Sequence, residues 1–398
     1  MLRLDANGLT LDGTPHDGDP LDALARLLAA PAPPSIPGLP AFQGGAAGFL
    51  GYEIGARLDR MPRAPGAFAG IPELLFGIFD TLLAWDHASH RLWLIGDGPR
   101  ARALRDTLAA PAPDLPPPAK LRWSAPVSRA AHMDRIAQTI ALIRAGDIYQ
   151  ANITAPFTAP RPAGFDPAAA YLAARAANPA PFSAYIDCGQ GCAVASVSPE
   201  RFLRLYQDGQ IEARPIKGTR PRGATPAADA AQATALLGSA KDRAENLMIV
   251  DLLRNDLARV AQPGSVTVPE LCALESFASV HHLVSSVRAC LRQGLGPVDL
   301  LRASFPGGSI TGAPKIRATD IIAGLECAAR GPYCGSAAWI GFNGAMDSNI
   351  LIRTVTIAAD TITAQAGGGI TADSDPAAEW DEVMTKITPL LRALGDLA

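Results

Sequence analysis

Phe202-Leu203-Arg204-Leu205-Tyr206-Gln207-Asp208-Gly209-Gln210-Ile211-Glu212-Ala213-Arg214 is the stretch whose reading decides the fold class. Apolar and polar residues alternate on either side of Asp208-Gly209. Glycine tolerates the positive φ of a tight primed turn, so the stretch predicts a β-hairpin. Downstream the period changes. Leu247, Val250, Leu253 and Leu257 recur at helical spacing, which predicts a helix over Lys241 to Val260. Working outward, Ser128 caps a helix with Met133, Ile136, Ile140 and Ile143 on one face, ending at Gly146. Leu82 to Ile95 reads as two short strands around a polar turn. Residues 334–366 read as an antiparallel meander broken at Asn343-Gly344 and near Asp360. Asp375-Pro376 opens a last helix, because Asp caps and proline is tolerated at the first helical position. Long helices beside hairpins, without a βαβ repeat, predict an α+β fold: antiparallel β-sheets packed together, with helices outside.

The proline-rich stretch 110–126 (Pro111, Pro113, Pro116, Pro117, Pro118, Pro126) reads as an extended connection. It divides an N-terminal region, 1–118, from a larger region, 119–398. Hydrophobic residues make up 48% of the 398 and charged residues 18%, which builds a core and excludes a disordered chain. The longest apolar runs break well before membrane-spanning length, and Met1-Leu2-Arg3-Leu4-Asp5 shows no secretory signal. These features predict a cytoplasmic protein that does not enter membranes. A net charge of −3 argues against a nucleic-acid binder with a basic face. The six cysteines form no CxxC pair and read as free thiols in a reducing compartment. Of 35 basic residues only five are lysine: Lys120, Lys217, Lys241, Lys315 and Lys386. Where arginine is so favoured, a lysine marks a place where a compact ammonium is wanted.

Four constellations carry chemistry. Glu379, Glu382 and Lys386 fall within about 60° of one another on a helix face. Two carboxylates a turn apart suit a hard cation such as Mg²⁺, or else a solvated ion pair between Glu382 and Lys386. Just upstream, Ala366-Gly367-Gly368-Gly369-Ile370 reads as a glycine turn after a strand, able to offer N–H groups to a carboxylate. Gly307-Gly308-Ser309-Ile310-Thr311-Gly312-Ala313-Pro314-Lys315 has the glycine spacing of a phosphate loop. It lacks the Lys-Ser/Thr that follows, so nucleotide binding is rejected. Lys217 lies in Arg214-Pro215-Ile216-Lys217-Gly218-Thr219-Arg220-Pro221-Arg222. A lysine is a nucleophile only if its pKa falls, and Arg214, Arg220 and Arg222 are candidates to supply the positive charge. Glu200 precedes the hairpin, and Glu245 opens the Leu-rich helix as a third candidate metal carboxylate.

Together and in this order, these blocks resemble the chorismate-utilising enzymes, a family that includes anthranilate, aminodeoxychorismate, isochorismate and salicylate synthases. The matching stretches are GDIYQANIT (146–154), SPERFL (198–203), RPIKGTRPRG (214–223), KDRAENLMIVDLLRNDLARV (241–260), FASVHHLVSSV (277–287), SFPGGSITGAPKIRA (304–318), GPYCGSAAWIGFNG (331–344), ILIRT (350–354) and AGGGITADSDPAAEWDEVMTK (366–386). GGAAGFLGYEIGARLD (44–59) resembles the family's N-terminal part. The resemblance implies the anthranilate synthase type of chorismate-binding fold. It also implies Mg²⁺ held by Glu245, Glu379 and Glu382. Tyr333 and Arg353 match positions that bind the enolpyruvyl carboxylate of chorismate. Gly367, Gly369 and Lys386 match contacts to the substrate carboxylate, Thr219 and His282 line the ring, and Glu200 matches the general acid at the C4 hydroxyl.

Two positions subdivide the family. Members that add water at C2 carry a lysine base where this chain has Gln150. Anthranilate synthases usually read PIAGT where this chain reads PIKGT, which is typical of the branch that aminates C4. The resemblance therefore implies covalent catalysis by Lys217. It further implies ammonia delivered by a separate glutamine amidotransferase subunit, since no glutaminase constellation is evident in this chain.

Overall fold

The computed structural model describes residues 1–31, 33–58, 61–112, 115–277 and 280–397. Pro113 of the proline-rich stretch, and Asp59, Ala278 and Ser279 of the matched motifs, lie outside the described residues. The hairpin forms as Arg201–Leu205 and Gln210–Ala213, with Arg204 opposite Glu212 and Leu205 opposite Ile211. It belongs to a 12-stranded sheet. The Leu-rich helix forms as Ala240–Ala258, its N-terminus capped by Ser239, whose hydroxyl accepts from the Asp242 N–H. Val250, Leu253 and Leu257 face inward, but Leu247 is exposed. The helix turns Asn246 inward instead, where its Nδ2 donates to the Leu283 carbonyl at 3.3 Å. A strand carbonyl in need of a donor has overridden the apolar stripe.

The regions before and after the proline-rich stretch share this sheet. Strand Gly45–Leu50 pairs with Ser336–Gly341 from Gly45 opposite Gly341 to Leu50 opposite Ser336. One core runs through both: Leu2, Leu50 and Phe76 cluster with Leu203, Ile211 and Leu253. Each such side chain contributes about 2 kcal/mol by leaving water.

A second, six-stranded sheet runs in the order Phe182–Gly189, Cys192–Ser198, Thr354–Ile357, Thr361–Ile370, Gln150–Pro160 and Gly312–Ala313. The two sheets meet where Phe49 and Leu75 of the first touch Cys192 and Val194 of the second. Helices cover the outer faces: Ala240–Ala258 and Pro297–Ser304 on the first, Pro167–Ala177 and Pro376–Leu394 on the second. Asp375 caps the last helix through the N–H groups of Ala377 and Ala378. The α+β arrangement of packed antiparallel sheets with helices outside is therefore present. Among the described residues no helix is long and apolar enough to cross a membrane.

Two expectations change. The meander 334–366 is not one sheet. Ser336–Gly341 and Met346–Asn349 join the first, while Thr354–Ile357 and Thr361–Ile370 join the second. The chain crosses between them over residues 350–353, and Arg353 takes up a left-handed conformation (φ 49°) at the crossing. The glycines 367–369 are not a turn but the interior of a strand, with Gly367 opposite Thr154 and Gly369 opposite Asn152.

Candidate active site

The glycine strand has one open edge. Thr361–Ile370 pairs along its length with Gln150–Pro160, but Thr354–Ile357 covers only Ile362 to Ala364 on its other side. Thr154 gives its N–H to the Glu326 carboxylate at 2.8 Å, and Asn152 gives its N–H to the Thr311 carbonyl at 2.7 Å. Neither bonds across to the glycine opposite. In an antiparallel ladder the facing residues of such pairs point their own N–H and C=O off the far edge. The Gly367 carbonyl accordingly accepts from Lys386 Nζ at 2.9 Å. The polypeptide thus presents the main-chain groups of Gly367 and Gly369 outward, as the turn reading anticipated, by a different geometry. At Gly367 glycine is required by proximity, since a β-carbon there would lie 2.5 Å from the Ile153 carbonyl oxygen; at its two neighbours side-chain ends are met. A β-carbon on Gly368 would lie 2.9 Å from Glu379 Oε2, and one on Gly369 would lie 2.6 Å from Gln150 Nε2.

Carboxylates and ammonium groups gather beside this edge. Glu379 is buried, and its Oε1 accepts from Ser374 Oγ at 2.6 Å. Lys241 Nζ lies 3.6 Å from the same oxygen and 3.9 Å from Glu245 Oε1. Lys386 pairs with Glu382 at 2.6 Å, as the i,i+4 spacing allows. Burial raises the Glu245 pKa against the pull of Lys217 and Lys241. Glu382 is lowered overall: burial pushes it up, but Lys386, Lys241 and Lys217 outweigh that. Among the described residues, no three acidic, His or Cys side chains converge closely enough to hold an ion unaided. A magnesium ion asks for less, one or two carboxylates with waters and substrate oxygens completing its shell. The slot that Gly368 leaves beside Glu379 and Glu382 fits such an ion.

Glu200 stands at the start of the hairpin. Burial raises its pKa, opposed first by Lys217, then by a hydrogen bond from Ser309 and by Lys386. A carboxyl whose pKa is raised, within the field of a lysine, has the form of a general acid. Lys217 lies on the strand Ile216–Pro221, opposite Leu283. Between Lys217 and Thr219 the register shifts at Gly218, whose φ is 77°. This bulge re-aims the side chains on either side of it. The expected cationic neighbours of Lys217 are spent elsewhere. Arg214 pairs with Glu275 and Glu270, Arg220 with Asp242, and Arg222 with Asp229. Each arginine has its own carboxylate, so the arginine reading is corrected: the ammonium groups of Lys241 and Lys386 share the Lys217 locality instead.

Thr219 Oγ1 and His282 Nδ1 are 2.9 Å apart across the sheet, with the Phe277 ring 5.6 Å from the imidazole. Burial lowers the His282 pKa, a hydrogen bond with the Gly218 backbone opposes it, and Arg353 adds to the lowering. Desolvation also lowers the Arg353 pKa, and among the described residues no carboxylate offsets it. A guanidinium without an acidic partner is ready for an anionic ligand. Gln150 is fully buried, yet among the described residues neither atom of its amide finds a partner; Asn152 Nδ2, two residues on, likewise has none. Tyr333 is held by the core rather than by this cluster. Its burial drives the hydroxyl pKa well up, and its electrostatic neighbours are Cys334, Arg330 and Glu326. Cys334, however, bonds the Leu351 carbonyl at 2.9 Å, which ties Tyr333 to the crossing that carries Arg353.

Glu200, Lys217, Glu245, Glu379, Glu382, Lys386 and Gly367 are thus linked by direct contact or mutual field, as are Gly369 with Gln150 and Thr219 with His282 and Arg353. Three members were given no site role from the sequence: Ser309, Ser374 and Lys241. Lysine rarity was the available signal for Lys241, since three of the five lysines stand here. Lys315 is explained otherwise, by its bonds to Asp256 at 2.7 Å and the Ser304 carbonyl at 2.8 Å.

A family model described as chorismate binding enzyme matches residues 5–392. The aminodeoxychorismate synthase component 1 of Klebsiella aerogenes is 46% identical over 380 residues, covering 94% of this chain and 83% of that protein. The anthranilate synthase component 1 of Streptomyces coelicolor is 39% identical, over 96% of this chain and 78% of that protein. The crystal structure of anthranilate synthase component I from Streptococcus pneumoniae superposes with a TM-score of 0.88 at 29% identity, covering 98% of this chain and 89% of that one.

Proposed function

The chain belongs to the chorismate-binding enzyme family, and on that premise we propose that it converts chorismate and ammonia into 4-amino-4-deoxychorismate, the component 1 activity of an aminodeoxychorismate synthase. The identity with relatives of that name supports this activity over anthranilate synthesis. The observation that carries the mechanism is the placement of the Glu200 carboxyl in the field of Lys217, with its pKa raised.

The Lys217 amine attacks C2 of the ring. The ring double bond shifts and the C4–O bond breaks. The hydroxyl takes the Glu200 proton and leaves as water. Ammonia then attacks C4, the double bond shifts back, and the C2–N bond to Lys217 breaks. The C4 ammonium so formed returns a proton to Glu200, Lys217 leaves as the free amine, and the enolpyruvyl group is retained. Splitting one difficult displacement into two allylic ones is the benefit of the covalent route. Arg353 and Tyr333 hold the enolpyruvyl carboxylate, Lys386 and the outward N–H groups of Gly367 and Gly369 hold the ring carboxylate, and Thr219 and His282 line the ring. Gln150, an amide where a base would serve water addition, leaves the site to ammonia. Glu245, Glu379 and Glu382 would hold Mg²⁺, which supplies a cationic anchor for the substrate carboxylate.

The name component 1 carried by the relatives implies a second component. A glutamine amidotransferase subunit fits, supplying ammonia to a cytoplasmic synthase of a 4-aminobenzoate and folate precursor. The test is an incubation of the purified chain with chorismate, Mg²⁺ and excess ammonium, with products resolved by mass. Aminodeoxychorismate is expected. Anthranilate with released pyruvate would transfer the assignment to anthranilate synthase.

A further inference from the structure

Lys241 has no part in the chemistry above, yet it occupies the centre of the carboxylate cluster. It lies near the start of the Ala240–Ala258 helix, one turn before Glu245. Its ammonium is 3.9 Å from Glu245 on its own helix and 3.6 Å from Glu379 on the C-terminal helix. Its field also reaches Glu382. The three carboxylates assigned to the metal are therefore the three that this one ammonium serves. The other two lysines of the site are committed: Lys386 bonds the Gly367 carbonyl and Glu382, and Lys217 is fixed on a strand. Lys241 alone makes long contacts, and nearly half of its side chain faces solvent (46%). A compact charge on a flexible four-carbon stem can leave such a position without disturbing the fold.

We propose that Lys241 is a displaceable internal counter-ion. It neutralises Glu245 and Glu379 in the metal-free enzyme and swings into solvent when a divalent cation takes their oxygens. An ammonium and a divalent cation beside the same oxygens repel one another, so the lysine competes with the metal and weakens its binding. Uncompensated, the clustered carboxylates would repel one another across the two helices.

This inference rests on the metal reading above, and calorimetric titration of Mg²⁺ alone into the metal-stripped chain separates the two. For Lys241→Met, Mg²⁺ is expected to bind about tenfold tighter than to the parent, the scale of releasing one ammonium from two carboxylates near a surface. The metal-free variant should melt at a lower temperature, and Lys241→Arg should behave like the parent. Lys241→Gln, tested alongside, guards against a folding defect particular to methionine. Binding to both neutral variants no tighter than to the parent would overturn the counter-ion role. Absence of Mg²⁺ binding to the parent and both variants would overturn the metal assignment itself.

Discussion

Replacing Arg353 with glutamine separates one substrate contact from everything else the fold does. The residue stands at φ 49° where the chain passes between the sheets, and glutamine keeps the same β-carbon, so the backbone cost is unchanged. Among the described residues no carboxylate acts on the guanidinium, so no ion pair described in the fold is broken. The loss should therefore fall on the bound anion. Hydrogen bonds to charged groups contribute about 1.5–3 kcal/mol. At about 1.4 kcal/mol per decade, that predicts a chorismate KM raised about 10- to 150-fold. The assay is steady-state turnover with saturating ammonium, with melting temperature measured in parallel. The turnover number and the melting temperature should stay close to the parent values. Arg353→Lys should recover only part of the loss, because a point charge cannot reproduce a planar fork. A glutamine variant whose KM lies within twofold of the parent would refute the assignment of this guanidinium to the substrate.

Lys217→Ala should lower aminodeoxychorismate formation at least about 1,000-fold while the protein still melts normally, since the nucleophile is gone; product formation at the parent rate would exclude the covalent route. Gly368→Ala should drive the Glu379 carboxylate back by about 0.5 Å from a contact of 2.9 Å. Its signature is a raised Mg²⁺ requirement in activity titrations, and an unchanged requirement would contradict the placement of the cation. His132 offers a stability test. It is buried against Trp380 at 5.4 Å, neither ring nitrogen has a partner, and burial lowers its pKa from 6.5 to about 4. Above the unfolded value both states are neutral. As pH falls through 6.5 towards 4 the unfolded chain gains the proton first, so stability is lost in that window. Between about pH 7.5 and about pH 5 the loss is about 2 kcal/mol, or about 2 °C in a chain of this length. His132→Leu should escape that part of the acid-induced drop; equal drops in the two proteins would show that the imidazole titrates freely.

Much of the fold was legible because it rests on local rules. The Asp208-Gly209 hairpin, the Ser128 and Asp375 caps and the apolar face of the Leu-rich helix follow from turn chemistry, capping and periodicity within a few residues. The ordered set of short motifs was likewise sufficient to indicate chorismate chemistry, and the lysine count marked three residues that now stand in one cluster. Tertiary structure alone decided the rest, because it depends on partners far away in the chain. The 334–366 strands divide between two sheets according to which strand each meets, and that crossing is what positions Arg353. The glycines 367–369 lie on an open strand edge because Thr354–Ile357 ends early and Glu326 and Thr311 take the N–H groups opposite. Arg214, Arg220 and Arg222 look like activators of Lys217 by proximity in sequence, but Glu275, Asp242 and Asp229 neutralise them across the fold. Charge acts through space, so a residue's electrostatic neighbours become known only when the fold brings Lys241 of one helix to 3.6 Å from Glu379 of another.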